Sequence, residues 1–181
     1  QGGRDRQRVV VYDLRKKKAI DEPRLKVWRE LKYYQVNFNG HAEHTLGPIV
    51  VRDNAVGKAA SILVTYSVRC EEDRERRLIE AMDGRDRPGA VSDEVVEATM
   101  KRAVQERNNV NAPFLASFGT WGNDLEARIA GELRDIGLAA HVRVNLHKRY
   151  SDDPIILRKC QIETHPKGYQ KDLVVTLSAR I

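Results

Sequence analysis

The stretch from Trp121 to His147, WGNDLEARIAGELRDIGLAAHVRVNLH, leaves the fewest options for how this chain can fold. Leu125, Ile129, Leu133 and Ile136 recur at helical spacing and make one apolar stripe. Asn123 stands where an N-cap belongs, with Glu126 three residues on to complete a capping-box start. Gly137 takes the place of a left-handed C-terminal cap. Beyond it Val142, Val144 and Leu146 alternate with Arg143, Asn145 and His147, the period of a half-buried strand. A helix therefore stops at a glycine and becomes a strand at once, so it must pack on the sheet that strand joins. Its charged face, Glu126, Arg128, Glu132, Arg134 and Asp135, is expected to be free to meet a neighbouring subunit.

Residues 1–8 are polar and expected to be disordered. Val9 to Leu14 reads as a strand, Arg15 to Lys18 as an exposed turn, and Val27 to Phe38 as a second strand. Asn39-Gly40 signals a turn, and Ile49-Val50-Val51 begins a short strand. After Asp53-Asn54 comes the clearest strand, with Ala60, Ile62, Val64, Tyr66, Val68 and Cys70 on one face. Glu71 to Met82 reads as a charged helix with Glu72/Arg76 and Asp73/Arg77 at i,i+4 spacing. Ser92 is placed to cap a helix running from Asp93 to about Arg107, acids early and bases late. The tail reads as a β-hairpin, Ile155–Thr164 and Leu173–Ile181, around a Pro166-Lys167-Gly168 turn. The order of strands, helices and strands predicts an α+β domain over 9–150. It has an antiparallel or mixed sheet, two to three helices on one face, and a C-terminal hairpin extension over 151–181. Strands and helices do not alternate, which argues against a doubly wound nucleotide-binding fold.

Charge and composition narrow the partners. The 181 residues carry a formal charge of +6 and contain 32% charged and 6% aromatic residues. Cations cluster at Arg15-Lys16-Lys17-Lys18 and Lys148-Arg149, matching an anionic phospholipid surface or nucleic acid, with solvated turns as the plain alternative. So few aromatics are a thin basis for base stacking. No apolar run approaches the ~20 residues that span a bilayer. The start Gln1-Gly2-Gly3 suggests a fragment of a longer protein, on the cytoplasmic side of a membrane if anchored and otherwise cytoplasmic. Cys70 and Cys160 are expected as buried thiols.

A search for chemistry finds one cluster, His41-Ala42-Glu43-His44. On a loop these side chains can converge on a metal, with His141 or His147 as further ligands; on a strand His41 and His44 point to opposite faces. A solvated loop is the expectation, and no cofactor or metal is assigned. There is no G-x-S-x-G, and the Gly84–Gly89 loop lacks the Gly-Lys-Ser/Thr ending of a phosphate cradle.

Three runs carry a family resemblance: IVVRDNAVGKAASILVTYSV (49–68), EVVEATMKRAVQE (94–106) and LEARIAGELRDIGLAAHVRVNLH (125–147). Together they resemble the SPFH domain of stomatins, prohibitins and flotillins, over residues 25–149. In stomatins the helix–strand junction reads Trp-Gly-Ile-x-Val; here Ile136-Gly137-Leu138 stands in that place, with Ile136 where the Trp would be. Such proteins usually carry a membrane-inserting segment before the domain and a long coiled coil after it, and neither pattern is in these residues. The resemblance implies an α+β domain that assembles side by side at a membrane without catalytic residues. The expected function is thus a non-enzymatic scaffold or oligomerisation domain whose partners are copies of itself and an anionic membrane surface, with no small-molecule substrate. The alternatives are a nucleic-acid-binding module and a metal-dependent enzyme using His41, Glu43 and His44.

Overall fold

A computed structural model of the chain describes residues 6–24, 30–150, 164–169 and 173–180. The described strands are β1 (Gln7–Asp13), β2 (Lys18–Ile20), β3 (Glu30–Asn37), β4 (Ala42–Asp53) and β5 (Lys58–Cys70), then β6 (Leu138–Tyr150), β7 (Thr164–Tyr169) and β8 (Val174–Arg180). Between β5 and β6 lie the helices α1 (Glu75–Met82), α2 (Pro88–Asn109) and α3 (Phe118–Asp135). The strands form two four-stranded sheets, in the orders β2-β1-β3-β8 and β6-β5-β4-β7, and every pairing is antiparallel. The α+β class holds, and of the two sheet types the antiparallel one is found.

Period-two alternation builds the second sheet. Ala60, Ile62, Val64, Tyr66, Val68 and Cys70 of β5 are all buried, as their spacing requires. They meet Leu46, Ile49 and Val51 of β4 and Val142 and Val144 of β6 in one core. Val10, Tyr12, Tyr34 and Val36 of the first sheet belong to the same cluster. The helices close it: α1 with Leu78, Ile79 and Met82, α2 with Val96 and Met100, α3 with Leu125, Ile129 and Leu133. Each helix therefore buries the stripe its sequence shows, and no gap separates the two sheets' cores.

Several expectations are corrected. The β4 strand begins at Ala42, so His41–His44 is not a loop; Ala42, His44 and Leu46 continue inward the alternation that Ile49 and Val51 carry on past a register shift. α2 starts at Pro88, whose fixed φ suits the first helical turn, so Ser92 lies inside the helix and not at its cap. α3 starts five residues before Asn123, because Phe118 and Trp121 pack on each other and Trp121 on Phe114, seating its first turn in the core. Arg6 and Arg8 are ordered, paired with Glu72, Asp73 and Glu75 at the start of α1, so the disordered start does not extend to residue 8; residues 1–5 lie outside the described residues.

The tail departs most. Pro166-Lys167-Gly168 is not a turn but part of β7, which pairs with β4 over Ala42–Leu46. β8 pairs with β3 in the other sheet, so the two tail strands are not hairpin partners. The expected first hairpin strand, residues 155–163, lies outside the described residues, as does Cys160.

Candidate functional site

The helix–Gly–strand joint is where the predicted interface residues fall, and it is built by backbone contacts first. Gly137 has φ +85°, and its amide bonds the Arg134 carbonyl at 2.9 Å while its own carbonyl accepts from Glu71 N at 2.9 Å. The end of α3, the start of β6 and the approach to α1 are thereby pinned at one point. A Cβ at residue 137 would lie 2.5 Å from the Arg74 carbonyl oxygen, so the chain crosses here with no room for a side chain.

The five residues expected at the interface do not form one free face of α3. A Glu126 oxygen accepts from Val144 N at 2.9 Å, tying the helix to the edge strand β6 instead of closing a capping box. Arg128 reaches across to α2 and grips Glu106 with both terminal nitrogens, at 2.7 and 2.8 Å. That bidentate guanidinium bond holds the Glu106 carboxyl below its usual range. Glu132 lies 3.4 Å from Arg102, and Arg134 lies 3.8 Å from Glu71. The Arg134 and Asp135 carbonyls accept from Arg74 and Arg77 of the α1 region. These pairs are mostly solvent-exposed, so they fix geometry more than they stabilise. Arg134 and Asp135, both exposed, remain the most outward members of the set.

The cationic turn is built differently. Asp13 is buried, and one of its oxygens accepts from Arg15 N and Lys16 N, both at 3.0 Å. Its carbonyl accepts from Lys17 N at 2.8 Å, and Lys17 takes φ 55°. One carboxylate thus locks a tight turn that displays Arg15, Lys16, Lys17 and Lys18, all exposed. Lys148 and Arg149 are exposed too, but they belong to β6 and not to a turn.

The histidine cluster does not converge. His41 and Glu43 are exposed on the open side of the second sheet, beside Ser67, Arg69 and His141 in a cleft of about 470 Å³. His44 points the other way and is buried. Among the described residues no group of three or more His, Cys, Asp or Glu side chains is placed to hold a metal ion. Inside, His44 stacks on Tyr66 with ring centroids 5.1 Å apart, and His44 Nδ1 lies 3.3 Å from an Asp93 oxygen. Tyr66 OH bonds Ser92 Oγ at 2.8 Å and donates to Asp93. This buried polar group clamps the first half of α2 to β4 and β5.

Two buried carboxylates, Asp53 and Asp13, hold turns in place. Asp53, fully buried, accepts from Phe114 N at 2.8 Å and Leu115 N at 3.0 Å with one oxygen and from Ala55 N at 3.1 Å with the other. It staples the β4–β5 turn to the α2–α3 connection. Asp13 does the same locally. An Asp at a strand end before a turn was the available signal, but distant amides such as Phe114 N leave no mark near it in sequence. Cys70 is buried as expected, and burial, with Glu75 and Glu71 nearby, pushes its thiol up to about 12. Among the described residues no helix is long and apolar enough to cross a membrane. No family model, no curated protein and no solved structure matches this chain.

Proposed function

We propose that this chain is a non-enzymatic scaffold domain that assembles with copies of itself while resting on an anionic surface such as a phospholipid membrane, in the manner of an SPFH domain. The observation that carries the reading is the rigid turn, in which the buried Asp13 carboxylate fixes the backbone beneath four consecutive exposed cations. Pre-ordering that backbone lowers the entropy lost when the cations dock, and each Lys or Arg near an anionic membrane contributes roughly 1 kcal/mol. The outward Arg134 and Asp135 at the α3 joint are the contact offered to a neighbouring copy.

The test is co-sedimentation with vesicles containing phosphatidylserine, against vesicles of phosphatidylcholine alone, together with light scattering for oligomer mass. Binding to the anionic vesicles should fall steeply with salt and vanish when Arg15, Lys16, Lys17 and Lys18 are all changed to Ser. A strictly monomeric chain with no vesicle association refutes the proposal.

A second reading, a nucleic-acid-binding module, has its own support. Among the described residues, the open side of the second sheet carries Arg69, Arg143, His41 and His141 beside the acid Glu43. A salt titration with single-stranded RNA decides it, because phosphate contacts weaken steeply with salt.

A further inference from the structure

We infer that the groove between the C-terminal half of α2 and the N-terminal half of α3 is where a second copy of this chain docks, about a twofold axis. This contact is additional to the one at Arg134 and Asp135 and rests on the self-assembly proposed above. The two helices are laced by ion pairs. Arg102 lies 3.4 Å from Glu132, and Glu106 holds Arg128 at 2.7 and 2.8 Å. The pairs descend on α3 as they ascend on α2, four residues at a step, so the helices run antiparallel. One more step sets Val110, the C-cap of α2, against Asp124. There the lacing stops for want of a cation.

A cavity of about 370 Å³ opens at that missing rung. The buried Ala103, Trp121 and Leu125 form its floor, and the exposed Arg107, Val110 and Asp124 stand at its rim. Val110 is 70% exposed, the most of any large hydrophobic among the described residues. A lone surface valine is ordinary, but this one stands over a recess of apolar side chains. Among the described residues no ion pair or side-chain hydrogen bond engages Arg107 or Asp124. The rim thus offers an unpaired cation on α2, an unpaired anion on α3, and an exposed apolar residue with them.

Charge complementarity selects the occupant. A rim with one free charge of each sign, on opposite helices, is its own complement after a half-turn. Arg107 of each copy then meets Asp124 of the other, and the two Val110 side chains meet near the axis, over the two recesses. A uniformly anionic partner, such as a membrane or a nucleic acid, gains from Arg107 and is repelled by Asp124. Exposed ion pairs contribute little each, so the association is weak and concentration-dependent, and the sign of the charges supplies its specificity.

The test is sedimentation equilibrium of the full chain over a range of concentrations, with wild type beside Arg107→Asp, Asp124→Arg and an equimolar mixture of the two variants. Each reversal alone sets like charges together at two symmetry-related places, so self-association should weaken about tenfold or more. In the mixture the two variants complement each other again, and the heterodimer should recover the wild-type affinity. Both positions are exposed and unpaired within the copy, so Tm should stay within about 1 °C. Val110→Asp should weaken association by a similar factor without touching either charge. A mixture no tighter than either variant alone, or association unchanged by both reversals, overturns the inference; if Arg134→Glu still disperses that association, self-assembly stands without this groove. A wild type monomeric at every concentration also overturns it, and its binding to phosphatidylserine vesicles then shows whether the anionic-surface half of the proposed function survives.

Discussion

Replacing Gly137 with Ala, with Gly57→Ala as its control, separates two costs that a glycine can hide. Both residues have positive φ, +85° and +62°. Around Gly57 no atom lies within 4 Å of an added Cβ. Alanine there bears only the left-handed conformation, about 1 kcal/mol. At Gly137 the Cβ would sit 2.5 Å from the Arg74 carbonyl oxygen and 3.3 Å from Leu78 N. Both are backbone atoms of the first turn of α1, where the same carbonyl accepts from Leu78 N and Arg77 N. No rotamer can clear them, so either α1 or the α3–β6 joint must move. Overpacking of this kind costs about 1–3 kcal/mol beyond the conformational term, giving about 2–4 kcal/mol in all. For a domain of this size each kcal/mol lowers Tm by about 2–4 °C. Gly57→Ala should therefore lose about 3 °C and Gly137→Ala about 10 °C, read by calorimetry, with urea midpoints falling in the same order. Equal losses in the two variants would refute the steric argument and leave Gly137 an ordinary helix cap.

Asp53→Asn should destabilise by about 2–4 kcal/mol, because one of its oxygens becomes a donor facing buried amides that need acceptors; urea unfolding measures it, and a loss below about 1 kcal/mol would show that the staple is not essential. Arg134→Glu should reduce oligomer mass in light scattering while leaving Tm within about 1 °C, since surface pairs contribute little, whereas Arg128→Glu should also disturb the α2–α3 packing; an unchanged oligomer in both removes α3 from the interface. In a Cys160→Ser background Cys70 should react with a thiol reagent only on unfolding, because burial holds its thiol near 12. The folded state binds that proton more tightly than the unfolded one, so the contribution is intact below the ordinary value of 9.0 and is lost as pH rises toward about 12. Cys70→Ala should flatten that part of the alkaline stability curve, and an identical curve would contradict the assignment.

What the sequence alone determined is what a single element can record. The alternation Ala60 to Cys70 fixed β5, the stripe Leu125–Ile129–Leu133 fixed the buried face of α3, and Gly137 fixed where that helix ends. Burial needs the right period, and period is written locally. Element boundaries set by distant partners were not legible. α3 begins at Phe118 because its rings lie in the core, and Glu126 serves β6 because Val144 N happens to face it. His44 hid the length of β4, since an inward histidine interrupts an apolar alternation and is accommodated by Tyr66 and Asp93 from elsewhere in the chain. The tertiary structure alone decided that the two tail strands join different sheets, because antiparallel pairing is satisfied by whichever edge is open. It also decided that Arg128 and Glu132 of α3 pair with Glu106 and Arg102 of α2, while Arg134 and Asp135 stay exposed. Charge is visible in a sequence, but which charges neutralise one another depends on distances that folding sets.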